Sequence, residues 1–162
     1  MVIRKLRQKG ISLIELMVTI TILAILVITG TSLTGLWSKQ AELDKATMSL
    51  KSAMGIAKAT AIRNEFALNT NQPSSQICFD EITKQLTIHK ASSTGSASCS
   101  SPIVFNYPLH SDTAIKNSDT SLFKCYAFNN FGQVTTEITT NCKTNLSLTI
   151  SNGSLNETYT LN

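Results

Sequence analysis

Residues 7–28 read RQKGISLIELMVTITILAILVI, and this stretch decides the architecture of the chain. From Ile11 to Ile28, eighteen residues pass without Lys, Arg, Pro or Gly. As a helix they extend roughly 27 Å at 1.5 Å per residue, close to the hydrocarbon thickness of a bilayer. The one charge in the run is Glu15. A carboxylate inside such a span costs very roughly 3 kcal/mol on insertion, so it calls for an assigned partner. Arg4, Lys5, Arg7 and Lys9 stand before the run, and the positive-inside rule keeps them cytoplasmic and sends the rest of the chain across. A secretory signal cut among the small residues of ITGTSLTG, 28–35, also fits the length. It leaves Glu15 unexplained.

The same four cations account for the charge of the whole chain. The 162 residues carry 14 Lys/Arg against 10 Asp/Glu, a net charge of +4, and removing residues 1–10 leaves ten of each sign. Contact with phosphates requires clustered Lys/Arg. The C-terminal NCKTNLSLTISNGSLNETYTLN, 141–162, holds only Lys143 and Glu157, so direct DNA binding is not expected. The length suits one compact domain beyond the N-terminal segment.

After Gly30 and Gly35 an amphipathic pattern takes over. Leu43, Ala46, Leu50, Ala53, Ala57 and Ala61 recur at three- and four-residue steps, with Glu42, Lys45, Lys51 and Lys58 off that stripe. An alanine-rich stripe suits close packing on a sheet. Helix from Ile11 to about Asn64 is expected, roughly 80 Å at the standard rise, half anchor and half domain core. Gly30, Gly35 and Gly55 are points where it is expected to bend or unwind, each costing up to ~1 kcal/mol relative to alanine. From Phe66 the composition turns to Ser, Thr and Asn with short β-branched runs, which signals strands. QICFD and KQLTIHK around EIT form one expected hairpin, and PIVFNYP a bounded strand. LFKCYAFNNFGQVT forms a pair about Asn130. LSLTIS and ETYTL form a further hairpin, turning at Asn152-Gly153.

Cys78, Cys99, Cys125 and Cys142 make no C-x-x-C pair, so zinc-ribbon and thioredoxin-type spacings are missing. An even count outside the apolar run reads as disulfides formed in an oxidising compartment. Four cysteines allow three connectivities that sequence alone does not separate. Cys78 with Cys99 and Cys125 with Cys142 is the expected set, because each closes a local loop worth about 3 kcal/mol in the loop-entropy picture. His89 and His110 stand at no metal-ligand spacing from a second His or a Cys, so no metal and no cofactor are expected. Nucleophile-elbow, P-loop and dinucleotide patterns are absent, and the chain reads as a non-enzyme.

KGISLIELMVTITILAIL, residues 9–26, resembles the class III signal of type IV prepilins and type II secretion pseudopilins: a short basic leader ending in Gly, then an apolar helix with Glu as its fifth residue. The resemblance implies that a prepilin peptidase cuts between Gly10 and Ile11 and methylates the new amine of Ile11. It also implies that Glu15 meets the N-terminal amine of a neighbouring subunit and sets axial register. Ile11 stands where major pilins usually have Phe, which points to a minor subunit. LKSAMGIAKATAIRNE and YAFNNFGQVT, with Phe128 and Gly132, are similar to minor pilins and pseudopilins of the FimT, FimU and GspH type.

The expected fold is therefore α+β and type IV pilin-like, a long N-terminal helix packed on an antiparallel β-sheet head. Residues 1–10 are the leader to be cleaved, 11–35 the transmembrane and filament-core helix, and 36–162 the exported head. The implied function is that of a minor pilin in the tip or priming complex of a type IV pilus. The alternatives are a minor pseudopilin of type II secretion and a DNA-binding pilin of natural transformation. The implied partners are other minor and major pilins, the prepilin peptidase, the inner-membrane assembly platform and, before assembly, membrane lipid. The implied location is the inner membrane with the head in the periplasm, then the pilus tip. Asn145 and Asn156 begin glycosylation-type triplets, to which a prokaryotic leader assigns no function.

Overall fold

The computed structural model describes residues 10–63, 65–66, 69, 71–135, 142 and 147–160, without the side chains of 31–33. The leader cations, Asn64, Lys143 and Asn145 lie outside the described residues. The chain divides into two compact units, residues 1–38 and 39–162. Helix α1 covers Leu13–Arg63. It starts two residues later than the apolar pattern does, because Ser12 occupies the N-cap and its carbonyl accepts the first helical bond, from Leu16 N–H at 3.1 Å. The helix continues through Gly30, Gly35 and Gly55 without unwinding at any of these weak points. One residue costing ~1 kcal/mol does not interrupt a cooperative helix whose neighbours are mostly good formers.

In the second unit, seven strands follow in chain order: β1 Ser75–Asp80, β2 Gln85–Lys90, β3 Ile103–Pro108, β4 Thr113–Asn117, β5 Cys125–Phe128, β6 Ser147–Asn152 and β7 Leu155–Thr160. They form two antiparallel sheets rather than one, a four-stranded sheet ordered β3-β2-β1-β5 and a three-stranded sheet ordered β4-β6-β7. Strand β4 was not foreseen. Its sequence, TAIKN, carries little apolar signal, yet Thr113, Ile115 and Asn117 are buried by pairing with β6, Ile115 opposite Ile150.

Two hairpins show how turn chemistry sets register. Between β1 and β2, Asp80 pairs with Gln85. The Asp80 carboxylate accepts from Thr83 Oγ1 at 2.8 Å and from Ile82 N–H at 2.9 Å. These bonds, the threonine hydroxyl first, hold its pKa below the ordinary carboxylate value. Between β6 and β7, Asn152 pairs with Leu155, so the two-residue loop is Gly153-Ser154, one position beyond the expected Asn152-Gly153. Gly153, at φ +63°, takes the first central position, which only glycine occupies at little cost. The expected strand pair about Asn130 is, among the described residues, a single bridge between Phe128 and Val134.

All six residues of the helical stripe, Leu43, Ala46, Leu50, Ala53, Ala57 and Ala61, are 2 % exposed or less, and Met54 joins them. They meet Ile77, Phe79, Leu86, Ile88, Tyr126 and Phe128 of one sheet, and Ile115, Leu148 and Ile150 of the other, in one core. The alanines bring helix and sheet backbones close enough for Ser75 Oγ to donate to the Ala57 carbonyl at 2.6 Å. Thr47 Oγ1 donates to Glu157 Oε2 at 2.8 Å, and Asn152 Nδ2 to the Lys39 carbonyl at 3.3 Å, so the three-stranded sheet is fastened to the same helix. A long N-terminal helix on antiparallel sheets is an α+β, pilin-like architecture.

Candidate functional site

The first unit consists, in its described part, of the start of α1. Gly10, Ile11 and Ser12 precede the helix. The sequence Ser12-Leu13-Ile14-Glu15 then has the S-x-x-E spacing of a capping box and makes one of its two bonds: Ser12 is at the N-cap, Glu15 at the third helical position, and Ser12 N–H donates to Glu15 Oε2 at 3.4 Å. Ser12 was missed as a functional partner of Glu15, although the S-x-x-E spacing before an apolar run was a readable signal. A carboxylate in the first turn also faces the positive end of the helix dipole. Glu15 thus sits where a charge is least costly on this helix.

Behind it the apolar side chains face outward. Ile11 is 75 % exposed, and Leu13, Ile14, Val18, Ile22, Leu26 and Ile28 are likewise exposed. A surface of this size without a protein partner is the mark of a membrane or protein contact. The helix is long and apolar enough to cross a membrane by length and composition. Thr19, Thr21 and Thr29 do not spoil that surface, because each turns its hydroxyl back onto the helix. Thr19 donates to Leu16 O at 2.9 Å, Thr21 to Val18 O at 2.8 Å and Thr29 to Ile25 O at 3.0 Å.

In the second unit the structure pairs Cys78 with Cys99 and Cys125 with Cys142, with Cα separations of 5.7 and 4.8 Å. Of the three connectivities, this is the one in which each bridge closes a local loop. Cys78, Cys99 and Cys125 line an open groove of about 890 Å³ on the four-stranded sheet, together with Ile82, Thr87 and His89. His89 is buried and satisfied: its Nδ1–H donates to the Ser101 carbonyl at 2.6 Å, and its Nε2 lies 2.9 Å from Thr87 Oγ1. His110 is exposed and lies 3.7 Å from a Glu42 oxygen. No group of three or more His, Cys, Asp or Glu that could hold a metal occurs among the described residues.

The prokaryotic N-terminal methylation motif matches residues 5–31, a range that contains Gly10, Ile11 and Glu15. The comparisons with curated proteins and with solved structures found no match to the chain. The motif at the N-terminus and the α+β architecture behind it support a type IV pilin-like protein, with a structural role and a membrane-anchoring helix.

Proposed function

We propose that this chain is a minor pilin of a type IV pilus, acting in the tip or priming complex on which pilus assembly begins. The observation that carries the reading is the outward-facing apolar helix with one carboxylate at its first turn, inside a methylation motif. In this reading residues 1–10 are removed between Gly10 and Ile11, and the new amine of Ile11 is methylated. Residues 11–35 anchor the subunit in the inner membrane and later pack in the filament, and 36–162 form the exported head. The pilus rather than the secretion pseudopilus is favoured by the two disulfides of the head.

The chemistry follows from desolvation. A carboxylate moved into an apolar helix bundle loses its hydration, and a positive charge in the same environment repays that loss when geometry and hydrogen bonding are good. Glu15 starts with one long bond to its own Ser12 N–H, which an amine of a neighbouring pilin replaces on assembly. Prepilin peptidase, other minor and major pilins and the assembly platform are the partners this requires.

Counting surface pili in an in-frame deletion tests the proposal. Complementation with the native chain should restore pili, and complementation with Glu15→Ala should not. Unchanged pilus numbers in the deletion would remove the priming role. A loss of exoprotein secretion instead would move the chain to the pseudopilus.

A further inference from the structure

We propose that the four cysteines form a thiol–disulfide exchange site, at which a small-molecule thiol converts the Cys78–Cys99 and Cys125–Cys142 bridges into Cys78–Cys125 and Cys99–Cys142. The first support is strand register. Cys78 and Cys125 are opposite each other in the β1–β5 ladder. The next pair along is joined by the Phe79 N–H to Lys124 carbonyl bond at 2.8 Å. Hydrogen-bonded and non-bonded pairs alternate in an antiparallel ladder, so Cys78 and Cys125 form a non-bonded pair, whose Cα atoms lie about 4.5 Å apart and whose side chains share one face. That spacing falls within the range a disulfide spans.

The second support is Gln76, fully buried two residues before Cys78 and on the same face of β1. Its Nε2 donates to Cys99 Sγ at 3.2 Å and to Cys142 Sγ at 3.3 Å. One amide nitrogen therefore gathers the two sulfurs that the alternative pairing joins. The third support is access. Cys78 and Cys125 are buried and Cys142 is half-buried away from the groove lining, whereas Cys99 is an exposed residue lining the open groove, so an attacking thiol reaches Cys99 first.

Each step exchanges one sulfur–sulfur bond for another. A small thiolate attacks Cys99 Sγ, the Cys78–Cys99 bond breaks, and its electron pair leaves on Cys78. The Cys78 thiolate attacks its cross-strand neighbour Cys125, forming Cys78–Cys125 and releasing the Cys142 thiolate. Cys142 then attacks Cys99 Sγ and expels the small thiolate. Two disulfides are consumed and two formed, the thiol is regenerated, and no net oxidant or reductant is needed. The product ties β1 directly to β5 and links the loop before β3 to the chain before β6.

The test incubates the full-length protein, in detergent, with reduced glutathione, quenches with acid and maps disulfides by mass spectrometry. Digestion after Lys and Glu separates all four cysteines. The expected result is a Cys99–glutathione adduct, followed by peptides linked Cys78–Cys125 and Cys99–Cys142. Their initial rate should rise roughly tenfold per pH unit below the thiol pKa. Recovery of the original pairs alone, at every thiol concentration, would overturn the proposal. In the Cys99→Ser, Cys142→Ser double variant, oxidised glutathione should close Cys78–Cys125 and block alkylation of both thiols. Two alkylated cysteines in a folded double variant would overturn it equally.

Discussion

Tyr126 offers a stability measurement whose sign and size both come from the structure. The side chain is 1 % exposed in the core, its ring 5.5 Å from that of Phe128, and its hydroxyl has no partner among the described residues. Burial disfavours the phenolate and pushes the pKa from 10.0 up to about 12. The folded value lies above the unfolded one, so the native state holds the proton longer. This contribution is fully present below pH 10 and is lost as pH rises from 10 to about 12, because there the unfolded chain binds fewer protons. Two pKa units correspond to about 2–3 kcal/mol. Tyr126→Phe should remove this loss. It should leave stability near neutral pH unchanged or higher by about 1 kcal/mol, because an unpartnered buried hydroxyl disappears. Urea unfolding of both proteins, disulfides intact, at half-unit steps from pH 8 to 12 gives the comparison. Taking the difference between them cancels the titration of the lysines. A difference that stays flat across this range would refute the reasoning.

Two further substitutions test how the head is held together. Leu50→Ala, at a fully buried position of the helical stripe, should cost about 2–5 kcal/mol as transfer and cavity terms add, read as a lower urea midpoint with an unchanged slope. Gly132 has φ +71°, and an added Cβ would lie 3.2 Å from Ile62 Cδ1. Gly132→Ala should therefore cost about 1–2 kcal/mol from the left-handed backbone alone, and a thermal midpoint equal to that of the native chain would contradict it.

Much of this architecture is legible in the chain because it rests on periodicity. The stripe from Leu43 to Ala61 reads as a helical face, and every one of its positions is buried. The β1–β2 turn is equally local, since Asp80 and Thr83 carry their own hydrogen bonds. Strand β4 is not legible. Thr113-Ala-Ile-Lys-Asn117 acquires its burial from pairing with β6, some thirty residues away, and no local pattern announces it. The division into two sheets has the same origin. The neighbourhood of Cys78 and Cys125 depends on β1–β5 register, which exists only once the sheet has formed. At the N-terminus, Glu15 stands out in the sequence as a charge in an apolar run, whereas the bond from Ser12 N–H becomes visible only in the folded first turn. Both readings describe one residue pair, since the same first turn that tolerates a carboxylate in the isolated chain also displays it.

The most direct test of the account is the N-terminal mass of the protein purified from the surface of its own cells, measured by intact and peptide mass spectrometry. The account requires a chain that begins at Ile11 and carries one added methyl group on its amine. A surface-derived chain that retains residues 1–10, or one that begins beyond Glu15, would contradict it.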